Sequence, residues 1–319
     1  NIIASSVVIT CVVSDGLKIS FGLRPRFFGI FTSSVSFLGL GFLPRLFLTG
    51  NKSVENTGSV SDCALFISGY LAYLTWGTWL SFVFFFIYGT IYTFSVSNWH
   101  ETVHKTAFKT RWINEFFYHI SSFMADFEGF RWRWSHTFHH SNTLQTKDNY
   151  DHEIQISRPT DLIAFFLNFV PFTDLLFPHR LIKFEVLKHS LGFFSPVVKI
   201  SAPLKEKKKI LWNSRFYVAI WLCIILLSIY FETILPILYF LLPNYYGKPL
   251  WFLVNVTQHL GAGLDKKDHR ESTHSVIINP IFSFLYWHME YHLEHHMFPM
   301  VPSYNLKKFT AVFKCLAII

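Results

Sequence analysis

An uncharged run from residue 63 to residue 97 limits the possible folds of this chain more than any other feature. A membrane-spanning helix needs about 20 apolar residues, so the run is long enough for two tilted spans. Gly77 lies near its middle and is the predicted turn, with one very long helix as the alternative. Hydrophobic residues make up 51% of the sequence and aromatic residues 19%. This composition favours a lipid bilayer over water as the solvent.

A second pair of apolar segments lies further along the chain. Residues 216–231 and 233–264 are largely uncharged, and the segment 243–248 (Pro-Asn-Tyr-Tyr-Gly-Lys) interrupts the later one. Proline, asparagine and glycine are typical of turns, so 243–248 is the predicted turn of a second hairpin. The predicted fold is therefore an all-α membrane protein with about four transmembrane helices in two hairpins and a helical cap. Residues 63–319 form this membrane domain, whereas residues 1–62 give no clear pattern and stay unassigned.

The basic residues indicate which side of the membrane the cap occupies. The net charge is +8, and 16 of the 28 lysines and arginines lie between Lys105 and Arg215. Basic loops beside spanning helices mark the cytoplasmic face. We therefore expect a multi-pass protein with a cytoplasmic cap, in the endoplasmic reticulum of a eukaryote or the inner membrane of a bacterium. No groove-reading motif accompanies the charge, so nucleic acid is not an expected partner.

The 16 histidines are clustered rather than scattered. Two clusters show spacing i, i+3, i+4 and one shows i, i+4, which places the imidazoles of each cluster on one face of a helix. The members are His100 and His104; His136, His139 and His140; His292, His295 and His296. Eight imidazoles exceed the four ligands of one zinc ion and suit two metal ions. Imidazole binds iron, copper, zinc and nickel alike, so ligand type alone leaves the metal open.

The three clusters resemble the histidine boxes of the membrane fatty acid desaturase and hydroxylase superfamily. They read HETVH from His100, HTFHH from His136 and HLEHH from His292. The resemblance implies two non-haem irons, O2 as co-substrate, and electrons from a separate carrier of the small cytochrome or ferredoxin type. It also adds His259 as a direct ligand and Asn255 as a ligand through water, since residues 255–259 match the family's Asn-x-x-x-His pattern.

Details of the boxes narrow the resemblance. The first box has three residues between its histidines rather than the four of animal acyl-CoA desaturases. The third begins with His292 rather than the glutamine of front-end desaturases, and the sequence contains no haem-binding His-Pro-Gly-Gly segment. The boxes look closest to sphingolipid-type and bacterial-type members. The resemblance thus implies an oxidoreductase that introduces a double bond into a lipid-like acyl chain, with hydroxylation of such a chain as the alternative.

Three other interpretations of the same residues stay open. His100 to His104 also spells the HExxH motif of zinc proteases, in which Glu101 would be the base. Glu101 with His104 and Glu271 with His274 match the Glu-x-x-His spelling of ferritin-like di-iron sites. A non-catalytic membrane protein is the third.

Several residues outside the boxes are candidates to support the ligands. The carboxylates that follow the second box are expected either to orient its imidazoles or to form a solvated acidic loop; they are Asp148, Asp151 and Glu153. His269 and His274 are further candidates for such support.

Overall fold

The computed structural model describes residues 7–12, 18–23, 52–147, 149–154, 162–176 and 181–315. Two strands, β1 (Val7–Val12) and β2 (Lys18–Leu23), pair antiparallel within the N-terminal segment that the sequence left unassigned. From residue 52 onward, every named element of the described chain is a helix. The all-α prediction is therefore confirmed for the described part of the membrane domain, and the β1–β2 pair lies outside that domain.

The first predicted hairpin is present, with its turn at the predicted glycine. Helix α1 (Lys52–Leu74) and helix α2 (Leu80–Thr93) flank a turn in which Gly77 has φ +84°. A backbone in this left-handed region favours glycine because a Cβ atom would be strained there. Helix α3 (Ser95–Val103) continues almost directly from α2. Together they form the apolar helical run Leu80–Val103, which is long enough to cross a membrane.

The second hairpin turns earlier than the sequence suggested. Helix α9 (Lys207–Tyr230) belongs to the apolar run Leu204–Tyr230, the other described helix that meets the length and hydropathy of a span. The chain turns at 231–234, where Glu232 has φ +50°. It then returns as three short helices, α10 (Leu235–Phe240), α11 (Pro243–Tyr246) and α12 (Lys248–Asn255). The prediction of a turn at 243–248 is wrong.

Contacts with α2 fix the direction of this returning segment. Tyr239 lies against Tyr88, with ring centroids 5.2 Å apart, and Val254 packs in a cluster with Phe94. Rising residue numbers in the two segments therefore run in the same direction. Each short helix has a proline in its first turn, where a missing N–H is tolerated and continuation of the previous helix is not. The residues that resembled a turn thus break a helix without reversing the chain.

The remaining helices lie around the ends of these hairpins. They are α4 (Arg111–Met124), α5 (Gly129–Ser141), α6 (Leu162–Leu167), α7 (Ile182–Ser190) and α8 (Pro196–Ser201). After α12 the chain forms α13 (His269–Ser272), α14 (Pro280–Leu285), α15 (His292–Met297) and α16 (Ser303–Cys315). Short 3-10 turns lie at Thr173–Leu176, Leu204–Glu206 and Val256–Gln258. A buried cluster that includes Phe94, Tyr286, Met289 and Leu306 joins α2 to the C-terminal helices.

Candidate metal centre

The histidine boxes lie at helix ends that converge on one place. His100 is in the last turn of α3, and His104 follows directly as the residue that caps it. The second box occupies the last two turns of α5. That helix begins at Glu128, whose carboxylate accepts hydrogen bonds from the backbone N–H groups of Phe130 (3.3 Å) and Arg131 (2.7 Å). Capping of this kind satisfies N–H groups that have no partner within the helix.

The third box and His259 reach the same place from the C-terminal half. Trp287 and His288 are consecutive left-handed residues, with φ of +55° and +57°, and they reverse the chain just before α15. Helix α15 then begins at His292. His259 follows the 3-10 turn that succeeds α12, whose last residue is Asn255. The path of α12 alongside α2 explains how residues 255–259 reach the end of α3.

All nine histidines singled out by the sequence lie in two groups. Within each group, one nitrogen per ring lies within 4.8 Å of every other. Group A is His100, His104, His136, His140 and His295; group B is His139, His259, His292 and His296. Seven of the nine are buried, and His104 and His140 are partly exposed. The structure therefore brings together two sets of nitrogen donors, each able to hold one metal ion.

Neighbouring histidines divide between the groups. His139 belongs to group B and His140 to group A, and His296 and His295 divide in the same way. Successive residues of an α-helix point about 100° apart, so one His-His pair can serve two centres. The spacing in the sequence predicts the box but not this division, because the division depends on how α5 and α15 are oriented towards each other.

The distances between nitrogens test whether the groups fit metal ions. Nε2 of His136 lies 3.0 Å from Nε2 of His104 and 3.2 Å from Nε2 of His140. Nε2 of His292 lies 3.2 Å from Nε2 of His259 and 3.1 Å from Nε2 of His296. Two donors bound about 2.1 Å from one ion at 90–110° lie about 3.0–3.4 Å apart. The spacing is therefore that of ligands around a shared ion.

Unpartnered nitrogens support the same interpretation. Nε2 of His100 and both ring nitrogens of His295 are buried and have no hydrogen-bond partner among the described residues. A buried polar atom without a partner is costly, and a metal ion would satisfy it. Nine imidazoles with converging ring nitrogens thus fit two metal ions.

Hydrogen bonds on the far side of three rings fix their orientation. Nδ1 of His139 donates to Asp151 (2.8 Å) and Nδ1 of His136 donates to Glu153 (3.0 Å). Nδ1 of His259 donates to the backbone carbonyl of Ser272 (2.9 Å). A proton held on Nδ1 leaves the lone pair of Nε2 for a metal.

The outcomes for the supporting residues differ. Of the two interpretations of the carboxylates after the second box, Asp151 and Glu153 follow the one in which they orient its imidazoles. Asp148 lies outside the described residues. Ser272 was missed, because a backbone carbonyl acceptor has no side-chain signature in the sequence. The ring of His269 lies 5.3 Å from that of His296. The side chain of His274 is exposed.

Burial and mutual repulsion set the charge of the site. Burial, with a further contribution from His139, lowers the pKa of both His104 and His259 to about 3. For His139 itself burial acts in the same direction, but the Asp151 carboxylate outweighs it and raises the pKa. Burial raises the pKa of Glu153 to about 7. At neutral pH His104 and His259 are therefore neutral, as metal ligands must be.

The structure argues against the zinc-protease and ferritin-like interpretations, because the glutamate that each requires has another role. Glu101 is buried and accepts hydrogen bonds from the Thr106 hydroxyl (2.9 Å) and the Ser303 backbone N–H (3.2 Å). Its carboxylate ties α3 to α16 and is not the free base that a zinc protease needs. Glu271 forms an exposed ion pair with Lys266 (3.0 Å), so the second Glu-x-x-His spelling is not part of a ferritin-like site.

Comparison with known proteins agrees with this geometry. The model of the fatty acid desaturase family matches residues 77–315. The chain belongs to the fatty acid desaturase family. The match covers all nine clustered histidines, and membership makes the protein a lipid oxidoreductase of the desaturase and hydroxylase type. The family's use of iron agrees with the two donor groups. No curated protein matches the chain.

Proposed function

We propose that this desaturase-family protein is a di-iron, O2-dependent enzyme that introduces a double bond into a fatty-acyl or similar lipid chain. The observation that carries the proposal is the convergence of nine histidines into two donor groups within a family of lipid oxidoreductases. The five imidazoles of group A would hold one iron and the four of group B the other. Bound iron supplies activation of O2 for attack on an unactivated C–H bond, which no side chain can perform.

The protein's own residues would position this chemistry. Asp151 and Glu153 hold the imidazoles of His139 and His136 in the tautomer that binds metal, and the Ser272 carbonyl does the same for His259. Asn255 would complete group B through a water molecule. The ligands are neutral imidazoles rather than carboxylates, so the centre keeps a positive charge.

The apolar helices support a lipid substrate. Only 22% of the span Leu204–Tyr230 is buried within the protein, and Leu226 and Ile229 are more than 60% exposed. Such extended apolar surface indicates contact with lipid. The apolar run Leu80–Val103 contains His100 in its last turn, so a chain that enters from the bilayer would follow helices that end at the donor groups.

The paths of the two hairpins support a membrane arrangement. We propose four crossings, made by α1, by α2 with α3, by α9, and by the broken segment α10–α12. Both hairpins then return to the side where the histidines lie. The 16 basic residues between 105 and 215 support a cytoplasmic location for this side. A separate soluble electron carrier would therefore reach the cap from the cytoplasm.

A lipid analysis with isotopes tests the reaction. The chain would be expressed in a lipid-competent host supplied with a deuterated fatty acid and labelled O2. Desaturation gives a product that lacks two hydrogens of the substrate and contains no label from O2. One labelled oxygen atom in the main product would establish the hydroxylase instead. A second host expresses the His295→Ala variant as the control. Identical lipids in the two hosts would contradict both reactions.

A further inference from the structure

The proposed reaction needs electrons that its substrate does not supply. Removal of two hydrogen atoms from a lipid gives two electrons, whereas reduction of O2 to two waters takes four. Hydroxylation leaves the same deficit of two electrons. We propose that a small acidic one-electron carrier protein docks in the groove beside α16 and delivers these electrons there. This inference rests on the proposed function only because that reaction requires an electron donor. The location of the docking surface rests on the structure.

The groove has an apolar floor and a basic edge. Its volume is about 400 Å³, and its lining includes Met300, Val301, Phe309, Val312 and the lysine Lys308. Met300 is 72% exposed and Val312 is 55% exposed. An apolar centre with a charged rim is the usual composition of an interface between two proteins.

The groove belongs to one of two neighbouring basic segments that contain no acidic residue. Residues 102–114 contain Lys105, Lys109 and Arg111, and residues 297–315 contain Lys307, Lys308 and Lys314. The structure joins the two segments, because Tyr304 packs against the cluster that contains Phe108. Lys109, Arg111, Lys307 and Lys308 are all exposed. A surface with this excess of positive charge attracts and orients an acidic partner.

The groove also lies beside both donor groups. His104 of group A directly precedes Lys105, at the start of the first basic segment. His296 of group B is two residues before Phe298, whose ring centroid lies 5.0 Å from that of Phe309 in the groove wall. Electron transfer slows steeply with distance. A carrier bound here would have a short route to each group.

Another basic segment of the cap, the loop at residues 265–271, is less suited to an acidic partner. Lys266 pairs with Glu271 (3.0 Å), and Arg270 pairs with Asp268 through nitrogens at 2.5–3.0 Å. The charges of Lys266 and Arg270 are therefore neutralised by neighbours, unlike those of Lys307 and Lys308. This loop provides a matched control, since Lys266 and Lys267 are also consecutive exposed lysines.

The test measures carrier binding to the full chain in nanodiscs of neutral lipid, both with iron and after its removal by chelation. The probes are a soluble acidic [2Fe–2S] ferredoxin and the soluble haem domain of an acidic small cytochrome. We expect Lys307→Glu with Lys308→Glu to raise the Kd of the bound carrier at low salt by about tenfold or more. Met300→Asp should also weaken binding, and Lys266→Glu with Lys267→Glu should change it by less than about twofold.

Several results would overturn the docking site. One is that the wild-type protein binds neither carrier, and another is that the α16 variants leave the Kd unchanged. The third such result is a loss of carrier affinity in the Lys266→Glu, Lys267→Glu control that equals the loss in the α16 variants. Weaker binding of the variant to anionic vesicles, with carrier affinity retained, would assign the groove to a lipid surface. Self-association that the variant abolishes would assign it to a second copy of the chain. Carrier binding is also measured with the chelated protein, so it can be detected even if the protein forms no lipid product. That combination would contradict the proposed reaction but not the docking site.

Discussion

Oδ2 of Asp151 lies 2.8 Å from Nδ1 of His139, and both residues are almost completely buried. Oδ2 of the same carboxylate also accepts the backbone N–H of Leu144 (3.0 Å), and Oδ1 accepts that of Glu153 (3.0 Å). Asp151 therefore fixes the loop after the second box and the tautomer of a group B imidazole together.

We expect Asp151→Asn to weaken iron binding in group B by about 10- to 100-fold, the range found for residues that orient a metal-bound histidine. The amide keeps the shape of the side chain but removes the charge that favours a proton on Nδ1. Competition with a chelator measures the affinity. Asp268→Asn, at a carboxylate that pairs with Arg270 rather than with a boxed histidine, is the control. Equal iron affinity in the two variants would show that Asp151 does not act through His139.

The close contact between Gly247 and Gly89 predicts that a larger residue at position 247 strongly destabilises the protein. A Cβ atom added to Gly247 would lie 1.9 Å from the carbonyl carbon of Gly89, which is backbone and cannot move aside. We expect Gly247→Ala to destabilise the protein by about 1–3 kcal/mol or more. Thermal unfolding in detergent measures it, with the exposed Val83→Ala as control. A melting temperature unchanged by Gly247→Ala would contradict the close approach of α2 and the α11–α12 junction.

The revised second hairpin makes a prediction about topology. Single cysteines would be placed at Tyr150, Ile281 and Glu232 in a chain whose own cysteines are replaced by serine. Positions 150 and 281 should react with an impermeant thiol reagent from the cytoplasmic side of sealed vesicles, and position 232 from the other side. Labelling of 150 and 281 from opposite sides would contradict the two hairpins. Labelling of 232 from the cytoplasmic side would contradict the turn at 231–234.

Iron-free protein should lose stability in acid. Burial lowers the pKa of His104 and His259 from 6.5 to about 3 in the folded chain. Between these pH values the unfolded chain binds protons that the folded chain does not, so its free energy falls relative to the folded state. The melting temperature should therefore decrease as the pH falls from about 6.5 towards 3. A His104→Gln, His259→Gln double variant should show a shallower decrease, and an identical pH profile would show that these residues are not the cause.

The sequence predicts those features that depend on local geometry. Histidines at i, i+3 and i+4 share a helix face wherever the helix lies, so the ligand set could be read before the fold was known. Gly77 could likewise be assigned to a turn, because it lies near the middle of an uncharged run long enough for two helices. Glycine readily adopts the left-handed backbone that such a turn requires. Asp151 and Glu153 were candidates because their carboxylates follow the second box closely in the chain.

Features that depend on tertiary packing could not be predicted in this way. The division of His139 from His140 requires the relative orientation of α5 and α15. The turn at 231–234 has one charged residue among apolar neighbours, whereas 243–248 has the proline and glycine of a typical turn. These residues serve instead to start short helices and to allow the contact of Gly247 with Gly89. Turn-like composition here reflects a broken helical segment packed tightly against α2.

The metal content of single-histidine variants tests the central claim most directly. His140→Ala removes a ligand of group A, and His139→Ala, at the neighbouring position, removes one of group B. Purified wild-type protein should contain two irons per chain by elemental analysis. Each variant should contain about one and should form no lipid product, while His274→Ala, with its exposed side chain, should retain both irons. One zinc per chain in the wild type, or two irons and full activity in either variant, would contradict the two-iron centre.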